Sequence, residues 1–381
     1  NYSINSGLSQ SYVTDILQDE SGFIWICTQD GLNKFDGYHF RIFSADRTNG
    51  IESNYFNCGI KASDGFLWFG TQQGLVAYDP KSERFNSFVP GDEFQDKSII
   101  SIAEGEKGNL YVLFDNKGVF VFKRNTKEFS PLTSELLDKS FNRLSYSSSD
   151  GLFISTNDKG VLLYKSNGIR QILPKDSLGS IEPIKTVTYY GENKYLIASL
   201  SNVYLWDAIN NNLQVFYIDF KHRFPNTEIE DIKVLSNGTI LVASVSAGLI
   251  ELKPTNQNTE IEVFRYRQDI FQKNTLLNDQ TTRLFLDRDG QLWVGTQRGF
   301  GTFNPNYLGF LGVGPSGNLE QGLPTPSVWA FAEDSNSGAI FVGTSNGVSR
   351  FDRKKNVFNH FYREPRSNLI RKVDMPALSL Y

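Results

Sequence analysis

The chain has 381 residues, of which 39% are hydrophobic and 21% charged, so it can bury a core and does not read as disordered. Its formal net charge is −4 and the charges are scattered, which leaves no cationic excess for nucleic-acid phosphates. No apolar run approaches about 18 residues, so no membrane-spanning helix is expected, and an aromatic content of 14% favours strands.

In chain order, a lead-in at Gly7-Leu8-Ser9 runs into the segment Val13 to Asp36, VTDILQDESGFIWICTQDGLNKFD. It reads as a strand, a glycine turn, an apolar strand through Trp25, a second turn and a third strand. Phe56 to Asp79 repeats the pattern as FNCGIKASDGFLWFGTQQGLVAYD. Four weaker copies begin at Ile100, Leu144, Val187 and Ile232, and strong copies return at Thr281 and Val328. The turn glycines Gly22, Gly65, Gly108 and Gly151 recur every 43 residues. A short fourth strand follows most copies, as at His39 to Phe43 and Arg84 to Phe88.

Each part has a physical reason. Asp64-Gly65, Asp150-Gly151, Asn237-Gly238 and Asp289-Gly290 permit positive φ in tight hairpins. The strands IWICT and LWVGT are apolar almost throughout, as expected of a strand covered on both faces. Four-stranded units at a period of about 40–50 residues, without helical periodicity, predict the blades of an all-β propeller. A sandwich or a solenoid is the alternative.

The Gly-rich stretch Gly309 to Gly322 precedes a second lead-in, Gly322-Leu323-Pro324. Seven copies lie before it. The expected organisation is therefore a seven-bladed ring over residues 1–313 and the opening blade of a second ring over 314–381. One eight-bladed ring over 1–381 is the alternative. The strand that completes the last blade comes from Tyr2 to Ile4 or from Phe310 to Val313. Ser367 to Tyr381 reads as a further lead-in and first strand, cut before its turn.

In a propeller, the lead-in loops and the turns between second and third strands converge on one axial face. This selects Tyr12, Tyr55 and Arg143 from the lead-ins, and Gln29, Asp30, Gln72, Asn157, Gln297 and Arg298 from the turns, as candidate ligand contacts. Amides, Asp and Arg give directional hydrogen bonds, and Tyr gives a stacking face. Trp25, Trp68 and Trp293 fall inside the buried strand and are expected to pack between blades. Cys27 and Cys58 form no CxxC pair, so no zinc site is expected; they read as buried thiols, with a disulfide open in an exported chain.

No metal, cofactor or catalytic residue is expected. His39, His222 and His360 are scattered, and neither a G-x-S-x-G nor an H-E-x-x-H motif occurs. Asp287-Arg288-Asp289-Gly290 lacks the remaining ligands of a calcium loop and reads as a turn. Paired carboxylates leave a propeller lyase or glycosidase open as a lesser alternative, beside a scaffold for protein interaction.

The phrase from Val13 to Gly37, with D-x-x-G-F-I-W-I-x-T-x-x-G-L-N-x-F-D-G, resembles the two-component regulator propeller repeat; Cys27 stands where that pattern usually has Gly. The resemblance is strong in the first, second, seventh and eighth copies. It implies the periplasmic sensor region of a Bacteroidetes hybrid two-component system, built from two seven-bladed propellers. It further implies a glycan fragment as signal, action as a homodimer, and a membrane helix and histidine kinase in segments outside this sequence.

Overall fold

A computed structural model describes residues 1–303 except 92–93, 95, 174–180, 218–219, 256–260 and 270–274. Beyond these it describes 322–325, 327–334, 337–352, 355, 357–363 and 370–371. The chain divides into two compact units, Asn1–Asn306 and Tyr307–Tyr381. The expected boundary at 313/314 and the segment Phe310 to Val313 lie outside the described residues.

The first unit is a ring of seven antiparallel sheets whose strands follow chain order. Their first strands are Val13–Gln18, Phe56–Lys61, Ile99–Glu104, Phe141–Ser147, Ile184–Gly191, Ile229–Val234 and Thr281–Leu286. These touch one another around the ring and form its inner wall. The second strands Ile24–Thr28, Leu67–Thr71, Ile240–Ser244 and Leu292–Thr296 are buried at every residue. Both of their faces are covered, because each sheet is sandwiched between two neighbours.

The core is correspondingly split into seven apolar clusters, one at each sheet-to-sheet interface. Between the first and second sheets, Trp25 packs on Phe43, Phe69 and Tyr78. Between the seventh and first, Trp293 meets Phe35 and Phe300 beside Val13, Ile16 and Ile26. Burying side chains of this size stabilises by about 1.5–3 kcal/mol each.

The seventh sheet has three strands of its own, and Tyr2 completes it. The Tyr2 N–H donates to the Phe300 carbonyl at 2.8 Å, and the Phe300 N–H donates to the Tyr2 carbonyl at 2.9 Å. The Tyr2 ring stacks on Phe300 at 5.0 Å. Gly299, at φ +124°, is required here: a Cβ would lie 2.1 Å from the Tyr2 carbonyl oxygen. Gly70 makes a similar close approach, since its Cβ would lie 2.7 Å from the Ile99 carbonyl of the next sheet. With the seventh sheet packed on the first, the ring closes on seven sheets and leaves no gap for an eighth.

The second unit holds one sheet, Val328–Glu333, Ile340–Thr344, Gly347–Asp352 and Val357–Arg363, with Ile370–Arg371 added at its edge. Its small core contains Leu323, Val342 and Phe358. Trp329 is 51% and Phe331 70% exposed. The residues equivalent to Phe331 in the first unit, such as Ile16 and Leu284, are buried between sheets. Of Ser367 to Tyr381, expected as a further lead-in and first strand, the described part Ile370–Arg371 pairs instead with Tyr362 and Arg363 of this sheet, and the rest lies outside the described residues.

In the first and seventh sheets, the carboxylates of Asp19 and Asp287 accept the indole N–H of Trp25 and Trp293, each at 2.8 Å. In the second sheet the same turn carries Ala62, and the buried Trp68 Nε1 has no hydrogen-bond partner. Ala62→Asp is expected to raise stability by about 1 kcal/mol in urea unfolding. Trp25→Phe is expected to cost more than Trp68→Phe in the same measurement, and equal costs would contradict this account.

Candidate functional site

The inner wall owes its chemistry to a β-bulge repeated in all seven sheets. In the first sheet Val13 pairs with Thr28 and Asp15 with Cys27, leaving Thr14 as the extra residue. The same shift occurs at Asn57, Ile100, Asn142, Lys185, Glu230 and Thr282. A bulge leaves ladder groups without their usual partners. Neighbouring sheets supply replacements through side chains.

The bulged residue serves the next sheet's carbonyl. Thr14 donates to Phe56, Asn57 to Ile99, Asn142 to Ile184 and Thr282 to Val13, over 2.5–2.9 Å. The residue after it serves the next sheet's N–H. Asp15 accepts from Gly59, Ser101 from Leu144 and Asp231 from Leu284, at 3.0–3.1 Å.

These latter residues form a ring around the axis: Asp15, Cys58, Ser101, Arg143, Thr186, Asp231 and Arg283. All but Thr186 line a central cavity of about 560 Å³ that extends to Gln18, Lys61 and Arg288 at the far ends of the inner strands. Arg143 reaches from the fourth sheet past the fifth to Asp231 on the sixth, with Nη1 2.8 Å from Oδ1. The Asp231 side chain is 3% exposed and that of Arg143 20%.

Burial pushes the Asp231 carboxyl up, but Arg143, Lys233 and Arg283 and the Leu284 N–H outweigh it and hold the group below its ordinary value. Burial likewise opposes the Arg143 charge, and Asp231 with Asp15 more than restores it. The thiols are both free and buried. Burial pushes Cys58 up to about 12 and Cys27 well above its ordinary value, so neither is a thiolate at neutral pH.

At the starting ends of the inner strands, Tyr12 is half-buried and its hydroxyl is raised chiefly by burial, then by the charges of Glu230 and Tyr55. Lys185 pairs with Glu230 at 3.0 Å. Tyr12 and Tyr55 therefore share one electrostatic neighbourhood with Glu230, a residue that the turn pattern does not single out.

Gln29, Asp30, Gln72, Asn157, Gln297 and Arg298 sit on the turns between second and third strands, with Asp30, Gln72, Asn157 and Arg298 exposed. The Gln72 and Gln297 N–H groups donate to the carbonyls of Tyr55 and Gln280, anchoring those turns to the lead-ins. Arg143, expected in a lead-in loop, lies instead on the inner strand Phe141–Ser147 inside the cavity. Asp15, Asp231, Lys233 and Arg283 were not anticipated. Aligning the copies on the residue after each bulge would have exposed three of them.

Among the described residues no group of three metal-ligating side chains occurs. The Asp287 carboxylate is spent on its own turn, accepting from the Asp289 and Gln291 N–H groups and from Trp293. No described helix is long and apolar enough to cross a membrane.

Fold and axial wall together define a repeat-built β-propeller with a charged central cavity. Two of its segments, residues 7–30 and 275–298, match the family model of the two component regulator propeller. These two segments enter the first and seventh sheets, side by side at the ring closure. A 37-residue stretch is 62% identical to histidine kinase P4 of Formosa agariphila, covering 10% of this chain and 3% of that protein.

Among solved structures, the extracellular domains of two putative hybrid two component systems from B. thetaiotaomicron share the fold. One has a TM-score of 0.66 at 20% identity and the other 0.66 at 19%. They cover 90% and 99% of this chain, which spans only 44% and 60% of their lengths. Virginiamycin B lyase from Staphylococcus aureus is a further propeller, with a TM-score of 0.61 at 12% identity, covering 77% of this chain and 94% of the lyase.

Removing Arg143 would strand a buried carboxylate. Arg143→Met is expected to cost about 3 kcal/mol in urea unfolding at neutral pH. The folded-state value of Asp231 is depressed, so its stabilisation is present above the ordinary carboxylate range and fades as pH falls through the folded value. The stability gap between wild type and Asp231→Asn should therefore shrink from pH 7 toward about pH 3. A gap that stays constant across that range would contradict the assignment.

Proposed function

We propose that this chain is the ligand-sensing module of a hybrid two-component system, placed in the periplasm, which binds a glycan fragment and passes the signal to a downstream histidine kinase. The observation that carries this reading is the pair of two-component regulator propeller repeats at the ring closure. The propeller fold shared with extracellular domains of two component systems supports it. The second unit is the opening blade of a second propeller on this reading, and homodimerisation belongs to the complete sensor region. The exposed Trp329 and Phe331 support the domain proposal, since further sheets would bury them.

The glycan is proposed to engage the axial face that carries Tyr12 and Tyr55, where an aromatic surface borders the Lys185–Glu230 pair. Sugar rings present apolar faces to aromatics and hydroxyls to amides and carboxylates. The likeness to a lyase favours an enzyme only weakly. A histidine-to-alanine variant of that lyase is catalytically inactive, whereas no histidine lines this cavity among the described residues.

The test is thermal unfolding of the protein extended through its second propeller, against a panel of neutral and acidic oligosaccharides. A saturable rise in Tm with at least one glycan is expected, and Tyr12→Ala with Tyr55→Ala should abolish it. No shift across the panel would sink the glycan reading. Release of product from any glycan would overturn the non-enzymatic one.

A further inference from the structure

The cavity wall holds three carboxylates and five cations: Asp15, Asp231 and Asp287 against Lys61, Arg143, Lys233, Arg283 and Arg288. The carboxylates are committed. Asp287 closes its turn and binds Trp293. Asp231 accepts from Arg143, from its neighbour Ile232 at 3.0 Å and from Leu284 at 3.1 Å. Asp15 accepts from Ile16 and from Gly59, each at 3.0 Å.

Two of the cations are committed as well. Arg143 is held by Asp231, and Arg288 donates to the Glu20 carbonyl at 2.9 Å. Lys61 is exposed at the mouth. Arg283 is different: its Nε is buried without a hydrogen-bond partner, and the Asp15 carboxylate stands 3.9 Å away. Lys233 faces the same cavity from the adjacent sheet, and no described residue forms an ion pair with it. Both charges act on Asp231, which places them in one electrostatic neighbourhood. A buried guanidinium donor left without an acceptor keeps its desolvation penalty uncompensated.

We propose that the central cavity is an oxyanion site in which Arg283 and Lys233 together hold one carboxylate, sulfate or phosphate group. Charge-assisted hydrogen bonds from the guanidinium and the ammonium would satisfy the orphaned donor and neutralise the surplus charge. The cavity of about 560 Å³ has room for more than an inorganic ion. A uronic acid or a sulfated sugar carries the same chemistry as free sulfate. The inference stands on the cavity wall alone and does not depend on the glycan reading.

The test uses the full 381-residue chain. Thermal unfolding is followed at constant ionic strength while sulfate or glucuronate replaces chloride, in wild type, Lys233→Met and Lys61→Met. Selenate-soaked crystals locate the ion by anomalous scattering. A saturable stabilisation is expected, with at least fivefold weaker binding in Lys233→Met and unchanged binding in Lys61→Met. The selenium peak should lie between Arg283 and Lys233. Glucuronate binding more tightly than sulfate assigns the anion to a sugar; sulfate binding alone assigns it to a free ion. Absence of binding by both, equal binding in Lys233→Met, or a peak outside the cavity overturns the proposal. The Lys233 ammonium lacks a described ion pair, so this variant is expected to fold; its unfolding midpoint in chloride alone verifies that.

Discussion

Every sheet of the ring is apolar on both faces, and this single constraint organises the rest. A sheet such as the second, with Trp68 packed toward the third sheet and Phe69 toward the first, cannot bury itself. It needs a neighbour on each side, and a row of such sheets ends only when the last meets the first. The closure is accordingly the most specific contact in the unit. Tyr2 adds its backbone to the seventh sheet, Gly299 admits that backbone, and Gly295 admits Val13, whose Cγ1 would lie 2.9 Å from an added Cβ. A ring closed by the pairing of Tyr2 with Phe300 ties the first and last repeats into one cooperative unit, unlike an open repeat array.

The same closure creates the axial wall. Seven inner strands converge with too little room for a continuous ladder between sheets, and the bulge in each strand turns two successive side chains toward the neighbouring backbone. Thr14, Asn57, Asn142 and Thr282 do by side chain what a ladder would do by main chain. Stability and site chemistry therefore meet in the same few residues, and the wall is polar because the fold needs polar groups there.

Much of the fold was legible in the sequence because its signals are local. A glycine at or near the same offset marks the hairpin in most copies, and Gly22, Gly65, Gly151 and Gly290 all take positive φ. Tryptophan in an unbroken apolar strand marks burial, and Trp25, Trp68 and Trp293 are 0%, 4% and 7% exposed. The closing strand was legible only as a choice between two segments, since pairing 298 residues apart leaves no local trace. The site was less legible. The turns are polar and converge, yet exposed turns are polar in any case. The bulge shifts which side chains face the axis, and strand alternation alone does not reveal it. Arg143 has the residue type of a lead-in contact but stands on the inner strand that lines the cavity. Its partner Asp231 lies 88 residues away, a spacing that no motif encodes.

The divergence of the copies at the axis carries its own meaning. The fourth residue of the inner strand packs between sheets and is apolar or glycine in every copy: Ile16, Gly59, Ile102, Leu144, Val187, Ile232 and Leu284. The third residue has a narrower structural duty, to accept one N–H from the next sheet, and Asp15, Ser101 and Asp231 discharge it. Arginine has no acceptor and cannot. At Arg283 the duty passes elsewhere, since the Ile16 N–H is taken by its neighbour Asp15. Asp15 thus serves both its own strand and the next one. A repeat that gives up a structural acceptor for a buried cation, and covers the loss with a doubly used carboxylate, has placed charge where packing did not ask for it. Arg143 recovers its cost through Asp231. Arg283 faces Asp15 only at 3.9 Å and its Nε makes no hydrogen bond, so its charge is left less fully compensated than that of Arg143.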